Sequence, residues 1–239
     1  MKLKNNINEW TEKSWNPVTG CTKISNGCTN CYAEKVAVWL ENMKNPRYLN
    51  GFDLTLHEDK INVPLRWRKP RRVFVNSMSD LFHERVPFEF IEKVFEVMNK
   101  CQQHLFMILT KRSERLEELS PKLNWSDNIW MGVTVEDENC KNRIDLLKGC
   151  EAAHKFISAE PLLSDLGDLN LDGIDWIFVG GESGKGCREM KEEWVLNVKG
   201  QCEKEGVIFT FKQWGGVRRK ENGSLLQGKI YDDMPKVMR

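Results

Sequence analysis

Three cysteines that lie close together in the sequence have the clearest potential for chemistry. Cys21, Cys28 and Cys31 follow the spacing Cys-x6-Cys-x2-Cys, and the last two have the separation common in metal sites. Residues 25–27 (Ser-Asn-Gly) form a turn-prone triplet that can bring Cys21 back towards the other two. A predicted helix follows, and its positive amino-terminal end would favour a bound anionic group. We therefore predict that the three thiolates bind a metal centre.

The number of cysteines bears on the identity of the metal. A structural zinc ion takes four ligands, whereas a four-iron cluster held by only three cysteines keeps one iron open for a cofactor or substrate. We predict a [4Fe-4S] cluster. Two alternatives stay open, a zinc site completed by His57 or His83 and a set of metal-free structural thiols. The remaining cysteines are scattered and are predicted to be small, semi-buried residues: Cys101, Cys140, Cys150, Cys187 and Cys202.

The overall composition is that of an ordinary globular protein. The chain has 239 residues, with 36 Lys and Arg against 35 Asp and Glu, so its formal net charge of +1 creates no global basic field for nucleic acid. No apolar run approaches the ~20 residues of a membrane span. The amino-terminal segment also lacks the apolar core of a secretory signal. We expect no membrane association and a cytoplasmic location, where thiols stay reduced.

Short apolar runs alternate with helical patterns along the chain. Six of these runs predict strands, and an earlier strand is expected within the first fifteen residues: 72–77, 105–110, 129–135, 155–159, 175–181 and 207–212. The alternation predicts an α/β fold with a parallel sheet. Because glycine-rich nucleotide-binding motifs are absent, a partial or full (β/α) barrel of six or seven strands is favoured over an open doubly wound sheet. Residues 1–239 are predicted to form one domain, with an irregular insertion at about 45–70 and a polar extension from about 216.

Polar residues follow most of the predicted strands. Because the carboxyl ends of parallel strands lie on one face, where ligands bind, we expect these residues to surround a single cavity. The predicted catalytic residues are Glu136, Glu160 and Lys212, and the predicted cofactor-binding residues are Lys111, Gly181 and Glu182. Lysines can hold a carboxylate or phosphate, and paired glycines let a ligand approach the backbone. The alternative for each residue is an ordinary polar loop or turn.

Several segments together resemble a known protein family. They cover about residues 8–216 and resemble the phage-associated three-cysteine-motif proteins, a group of phage and bacterial proteins. That family in turn resembles a divergent branch of the radical S-adenosylmethionine (SAM) superfamily. The segments are EWTEKSWNPVTGCTKISNGCTNCYAE, VFVNSMSDLFHE, LTKRSERL, WMGVTVEDENCKNRIDLL, FISAEPLL, VGGESGKGCREM and FKQWGG. The usual superfamily spacing is Cys-x3-Cys-x2-Cys, so the first gap is longer here.

This resemblance implies a fold, two cofactors and a reaction type. The fold would be a partial or full β/α barrel of the radical SAM type, with its cluster loop after the first strand. The cofactors would be a [4Fe-4S] cluster and SAM, supplied with electrons by an external donor. SAM would be cleaved reductively to start radical chemistry on a substrate. A superfamily motif after the second strand holds the SAM amino group, and Ser77, Ser79 and Asp80 occupy the corresponding position here.

The resemblance also bears on the substrate. The family's phage setting suggests a nucleic-acid base, in modification or repair. The basic run at 66–72, which contains one tryptophan, could contact phosphates and a stacked base; its alternative is a solvated linker, and 218–220 is a similar but shorter run. The alternative function is a nucleic-acid-binding protein without catalysis, stabilised by zinc or a cluster, and a further one is a subunit that acts only with a partner protein. Trp10, Trp15 and Trp214 are candidates to line the site.

Overall fold

A computed structural model of the chain describes residues 11–236. The central sheet contains seven strands: β1 (Lys13–Trp15), β2 (Arg72–Val75), β3 (Leu105–Thr110), β4 (Ile129–Thr134), β5 (His154–Ala159), β6 (Trp176–Gly180) and β7 (Ile208–Gln213). The helices are α1 (Tyr32–Asn42), α2 (Glu58–Ile61), α3 (Phe88–Lys100), α4 (Ser113–Leu119), α5 (Asn142–Lys148), α6 (Glu192–Glu205) and α7 (Arg219–Asn222). Two ribbons pair Val18–Thr19 with Thr55–Leu56 and Leu225–Leu226 with Lys229–Ile230. Short 3-10 turns lie at Asn26–Cys28, Pro64–Arg66, Ser120–Lys122 and Glu138–Cys140.

The strands lie in the sheet in the same order as in the chain. Every neighbouring pair from β1 to β7 is parallel. Because crossovers between parallel strands are right-handed, this order places the connecting helices on one face and curves the sheet around the other. Among residues 11–236, β1 and β7 do not pair with each other, so the sheet is a half-barrel. The predicted α/β partial barrel is confirmed, and so is a strand within the first fifteen residues.

Alternate residues of each strand face opposite sides of the sheet. The outer face packs against helices such as α3, whose Ile91, Phe95 and Met98 recur at helical spacing and are buried. The inner face carries a separate apolar cluster that includes Trp130 and Phe156. These rings fill the half-barrel towards the amino ends of its strands. The inner face is therefore filled with side chains below and has its cavity at the carboxyl ends of the strands.

The predicted strand at 72–77 ends two residues early in the structure, because the backbone turns there. The run 72–77 was expected to be extended throughout, but β2 ends at Val75. Asn76 has a φ of 57°, in the left-handed region that a strand cannot continue through. The chain therefore turns sharply at Asn76, directly below the open end of the half-barrel.

The carboxyl-terminal extension packs against β7 and the inner face of the half-barrel. The Phe211 N–H donates to the Tyr231 carbonyl at 2.7 Å, so the chain pairs with the free edge of β7. Met234 then packs against the inner apolar cluster, and its sulfur lies 3.4 Å from Arg72 Nη1. The sequence did not place this segment. In the structure it covers the inner cluster near the amino ends of the strands.

Helix α1 differs from the other long helices in what it buries. Its buried residues are Ala33 and Ala37, whereas Tyr32, Val38 and Trp39 are exposed. Alanine side chains remove little apolar surface from water, so packing alone anchors this helix weakly. The loop before α1 must therefore help to position it. In the part of the chain that is described, no helix combines the length and apolar character needed to cross a membrane.

Two glycine substitutions should test the packing of the inner face. A methyl group on Gly132 in β4 would lie 2.3 Å from the Phe156 ring, whereas one on Gly200 in α6 would meet no atom within 4 Å. We expect Gly132→Ala to lower the free energy of unfolding by about 1–3 kcal/mol through overpacking. The control Gly200→Ala should raise it by about 0.5–1 kcal/mol, because alanine favours the helix. Urea denaturation measures both, and an unchanged stability for Gly132→Ala would contradict the packing described.

Candidate functional site

A cavity of about 610 Å³ opens at the carboxyl ends of the strands. Cys21, Cys28 and Cys31 all line it, as free and partly buried thiols. The strand-end residues predicted from the sequence line it too, apart from Glu136: Ser77, Ser79, Asp80, Lys111, Glu160, Gly181, Glu182 and Lys212. The structure thus brings the three cysteines and most of the predicted residues to one place.

The chain reaches the cavity through a tight turn after β1. Gly20 has a φ of 79°, and a Cβ there would lie 2.1 Å from the Asp53 carbonyl oxygen, so a side chain is excluded. The Ser79 hydroxyl donates to the Gly20 carbonyl at 2.5 Å. Ser79 therefore holds the segment that enters residues 21–31, which we call the cysteine loop.

The first part of the cysteine loop is held by Arg112, which follows β3. Its Nη1 lies 3.5 Å from the Cys21 sulfur, and its Nη2 donates to the carbonyl and hydroxyl oxygens of Thr22 at 3.2 and 3.0 Å. The guanidinium also pairs with Asp80 at 3.1 Å and Glu84 at 2.8 Å. Arg112 therefore connects the first cysteine to the ends of two strands.

Asp80 is fully engaged in this arrangement. Its Oδ1 accepts from Phe82 N at 3.0 Å and from the Thr110 hydroxyl at 2.7 Å. Its Oδ2 accepts from Lys111 N at 3.0 Å and from Arg112 at 3.1 Å. A carboxylate has about four acceptor sites, so none is left for the amino group of a cofactor. The geometry assigns Asp80 to holding Arg112, and its predicted role in binding SAM has no geometric support.

The middle of the cysteine loop is held by the two acidic residues after β4. Glu136 is fully buried, pairs with Arg143 at 2.8 Å and accepts a hydrogen bond from the Ser25 hydroxyl. Asp137 Oδ2 accepts from the Asn26 side chain at 3.0 Å. Glu136 was predicted to be catalytic, but it lies outside the cavity lining and its oxygens bind Arg143 and Ser25. Its position gives it a role in fixing the loop.

The end of the cysteine loop is held by Glu182, after β6. Its Oε2 accepts from Asn30 Nδ2 at 3.0 Å and from Arg188 Nε at 3.0 Å. Arg188 Nη2 in turn donates to the Asn26 carbonyl at 2.9 Å. Burial alone would raise the pKa of Glu182, but the hydrogen bonds from Arg188 and Asn30 lower it below its ordinary value. Glu182 therefore stays ionised and binds protein groups, although it reaches the cavity wall.

Glu160 and Lys212 form an ion pair whose two side chains both line the cavity. Lys212 Nζ lies 2.6 Å from Glu160 Oε2, and Gln213 Nε2 donates to Glu160 Oε1 at 3.0 Å. Their side chains are 20% and 13% exposed and both line the cavity. These two charges thus face the cavity on the side of β5 and β7.

Two cavity residues with unpaired polar atoms among residues 11–236 were missed by the sequence analysis. Asn76 is 3% exposed, and its Oδ1 accepts from Val18 N at 3.2 Å, but its Nδ2 has no partner among residues 11–236. The Thr134 hydroxyl, also buried and on the cavity wall, has no partner there either. Leaving a buried polar atom unpaired costs about 1–3 kcal/mol, so such atoms in a cavity wall point to a ligand. Asn76 directly follows a strand, which was a usable signal, whereas Thr134 resembles any β-branched strand residue.

The chemistry of the three thiols fits a four-iron cluster, which takes a thiolate at each of three irons and leaves the fourth open. Among the described residues, no three His, Cys, Asp or Glu side chains are arranged to hold one metal ion. In a polynuclear cluster each thiolate binds a different iron, so the sulfurs lie farther apart than ligands of one ion. His57 and His83, considered as zinc ligands, bond to Thr19 and Thr22 instead.

A metal centre bound at Cys21 would have to displace a proton. Burial raises the pKa of the Cys21 thiol to about 11; the Asp80 carboxylate adds to this rise and the Arg112 guanidinium opposes it. At neutral pH the thiol of the metal-free chain is therefore protonated. Because metals bind the thiolate, uptake of a metal centre releases this proton.

The basic run at 66–72 lies away from the cavity. It leads into the amino end of β2, whereas the cavity lies at the carboxyl ends. The Trp67 ring packs edge-on against His104, with 5.6 Å between centroids, so it is not a free stacking surface. Of the other candidate tryptophans, Trp15 and Trp214 are outside the cavity lining, and Trp10 lies outside the described residues.

Comparison with known proteins identifies a family. Residues 5–235 match the family described as "Protein of unknown function (DUF5131)". A search of curated proteins found no match. A solved structure of spore photoproduct lyase complexed with dinucleoside spore photoproduct is similar with a TM-score of 0.44 and 10% identity, and the match covers 78% of this chain. It covers 59% of the lyase chain, and a likeness this distant carries no functional conclusion.

Removal of Arg143 should test the buried support of the cysteine loop. Arg143→Met would leave the Glu136 carboxylate, 0% exposed, without its counter-charge. We expect the free energy of unfolding to fall by about 3–5 kcal/mol, because the remaining charge is buried and unpaired. The matched control Lys93→Met removes the partner of Glu58 in an exposed pair and should cost less than about 1 kcal/mol. Equal losses in the two variants by urea denaturation would contradict the difference in burial.

The lowered pKa of Glu182 predicts a pH-dependent contribution to stability. Such a carboxylate stabilises the folded chain above its unfolded pKa of about 4.3, and this contribution is lost as the pH falls through the lower folded value. We expect Glu182→Gln to lower the urea midpoint at neutral pH, and its difference from the wild type to shrink as the pH falls below the unfolded pKa of about 4.3. Glu96→Gln, which removes an exposed carboxylate paired with Lys100, is the matched control. A gap between wild type and Glu182→Gln that is constant with pH would refute the assignment.

Proposed function

We propose that this chain, which belongs to the DUF5131 family, binds a [4Fe-4S] cluster through Cys21, Cys28 and Cys31 and uses it with SAM to start a radical reaction. One observation carries the proposal. The three thiols line a single cavity at the carboxyl ends of a parallel half-barrel, on a loop that strand-end side chains hold in place. A membership of the radical SAM superfamily is part of this proposal.

The donor set suits such a cluster. The three thiolates would each hold one of its four irons and would leave the fourth without a protein ligand. The loop is already fixed by Arg112, Glu136 and Glu182, so little ordering would be needed on binding. Such a cluster, when bound, would pass one electron from an external donor to SAM for its reductive cleavage.

Unpaired polar groups of the cavity would bind the polar part of SAM. The Asn76 amide and the Lys111 ammonium are donors suited to a carboxylate, and the Thr134 hydroxyl can donate or accept. Among the described residues, no side chain accepts a hydrogen bond from Lys111 Nζ. Ser77 also lines the cavity, although its hydroxyl donates to Asn16 at 3.2 Å. These residues would orient the cofactor towards the cysteines.

The opposite wall would receive the substrate. Glu160 and Lys212 present a paired negative and positive charge to the cavity and would orient a polar group. Phe178 and Leu109 supply an apolar floor that excludes water from the reacting atoms. Exclusion of water protects a reactive radical from side reactions.

A nucleic-acid base is the proposed substrate class. Arg219 lines the cavity within the basic run 218–220, and its guanidinium could meet a backbone phosphate beside a base in the cavity. The cavity volume of about 610 Å³ lies within the usual range for ligand sites. The run at 66–72 lies at the other end of the strands and is not part of this site. Its position and the packed Trp67 give no support to a zinc-stabilised nucleic-acid-binding protein.

Iron uptake tests the proposal directly. After anaerobic reconstitution with iron and sulfide, we expect about four irons per chain in the wild type. Cys28→Ser should lose most of this iron together with the visible absorption. The matched control Cys187→Ser changes another partly exposed thiol, one outside the cavity lining, and should retain the iron.

Cofactor cleavage tests the second half of the proposal. With SAM and dithionite, the reconstituted wild type should form 5′-deoxyadenosine and methionine, and Cys28→Ser should not. Bound zinc without iron in anaerobically purified protein would contradict the cluster assignment. Full iron content without any 5′-deoxyadenosine would contradict the proposed SAM cleavage and leave the cluster assignment standing.

A further inference from the structure

Arg112 is a charged side chain that contacts Cys21, the first of the three thiols. Its Nη1 lies 3.5 Å from the Cys21 sulfur. Within residues 11–236, the other hydrogen bonds of these thiols go to uncharged groups, namely Thr22 and Ser25. Since Arg112 also donates twice to Thr22, it holds the first cysteine and its neighbour together.

The guanidinium is fixed in place and shielded from water. Arg112 is 4% exposed, and its partner Asp80 is 8% exposed. Glu84, at 2.8 Å from Nε, is 60% exposed, so its charge is largely screened. Asp80 is held in turn by Phe82, Thr110 and Lys111. A buried positive charge therefore sits beside Cys21 in a medium where charges interact strongly.

We propose that Arg112 is a positioning residue that sets the reduction potential of the cluster bound by the three cysteines. The inference rests on the proposed function, because it requires that cluster. Reduction adds one negative charge to a cluster, and a donor aimed at one of its thiolates stabilises the reduced form more than the oxidised form. Arg112 thus raises the potential and makes the electron from an external donor easier to accept. Asp80 moderates this effect, since its negative charge lies next to the guanidinium.

The test compares substitutions that differ in charge and in contact with the sulfur. Arg112→Gln removes the charge and the fork of donors, whereas Arg112→Lys retains the charge alone. Lys23→Gln is the matched control, because Lys23 lies two residues from Cys21 but is 49% exposed and pairs with Glu34 at 2.8 Å. The full chain is reconstituted anaerobically, its iron and sulfide are measured, and its cluster is titrated with dithionite while the paramagnetic signal is recorded.

We expect a shift of the midpoint to lower potential in Arg112→Gln. At the wild-type midpoint, the ratio of reduced to oxidised cluster should fall about tenfold, a shift of about 59 mV for a one-electron couple. Arg112→Lys should show a smaller fall, because the charge remains, and Lys23→Gln should stay close to the wild type.

Three results would overturn the inference. One is an unchanged midpoint in Arg112→Gln with full cluster content. Another is loss of the cluster in both Arg112 variants, which would assign Arg112 to holding the loop alone. The third is a wild-type chain that takes up no iron, which overturns the proposed function as well. Iron analysis of the wild type therefore separates the two failures.

Discussion

Charged side chains at the strand ends determine where the three cysteines lie. Arg112 holds the start of the cysteine loop, Glu136 its middle and Glu182 its end, so each of three strands contributes one contact. These groups are buried or nearly so, and buried charges are stable only when they are paired. Helix α1, which follows the loop, buries only small side chains. The loop therefore depends on these polar contacts, and the position of the thiols depends on the loop.

The order of the strands explains why these contacts can form. Consecutive parallel strands bring successive strand ends to one rim, and the curvature of the sheet turns that rim around a cavity. Large rings such as Trp130 and Phe156 fill the inner face below. The carboxyl-terminal segment adds Met234 to this filling. The interior is thus packed towards the amino ends of the strands and free for a ligand at the other end.

The strand-end residues divide into two groups by what they already bind. Asp80, Glu136 and Glu182 are occupied by partners that fix the cysteine loop. Asn76 and Thr134 keep polar atoms in the cavity wall that find no partner within residues 11–236, and Glu160 with Lys212 faces the cavity as a charged pair. Different side chains therefore support the cysteine loop and face the ligand. This division is the basis for assigning cofactor and substrate to opposite walls.

The sequence alone determined the three-cysteine loop, the parallel α/β fold and the common rim of the strand ends, because spacing and apolar periodicity are local properties of a chain. It also located the residues of that rim. Only the tertiary structure decided which of them can still contact a ligand. A carboxylate that accepts hydrogen bonds from residues distant in sequence, as Glu136 does from Ser25, has fewer free acceptor sites. The same reason hid Asn76, whose unpaired amide depends on a left-handed backbone after β2 and on the packing of Val18 beside it. The contact between Arg112 and Cys21, 91 residues apart, likewise exists only once the half-barrel has formed.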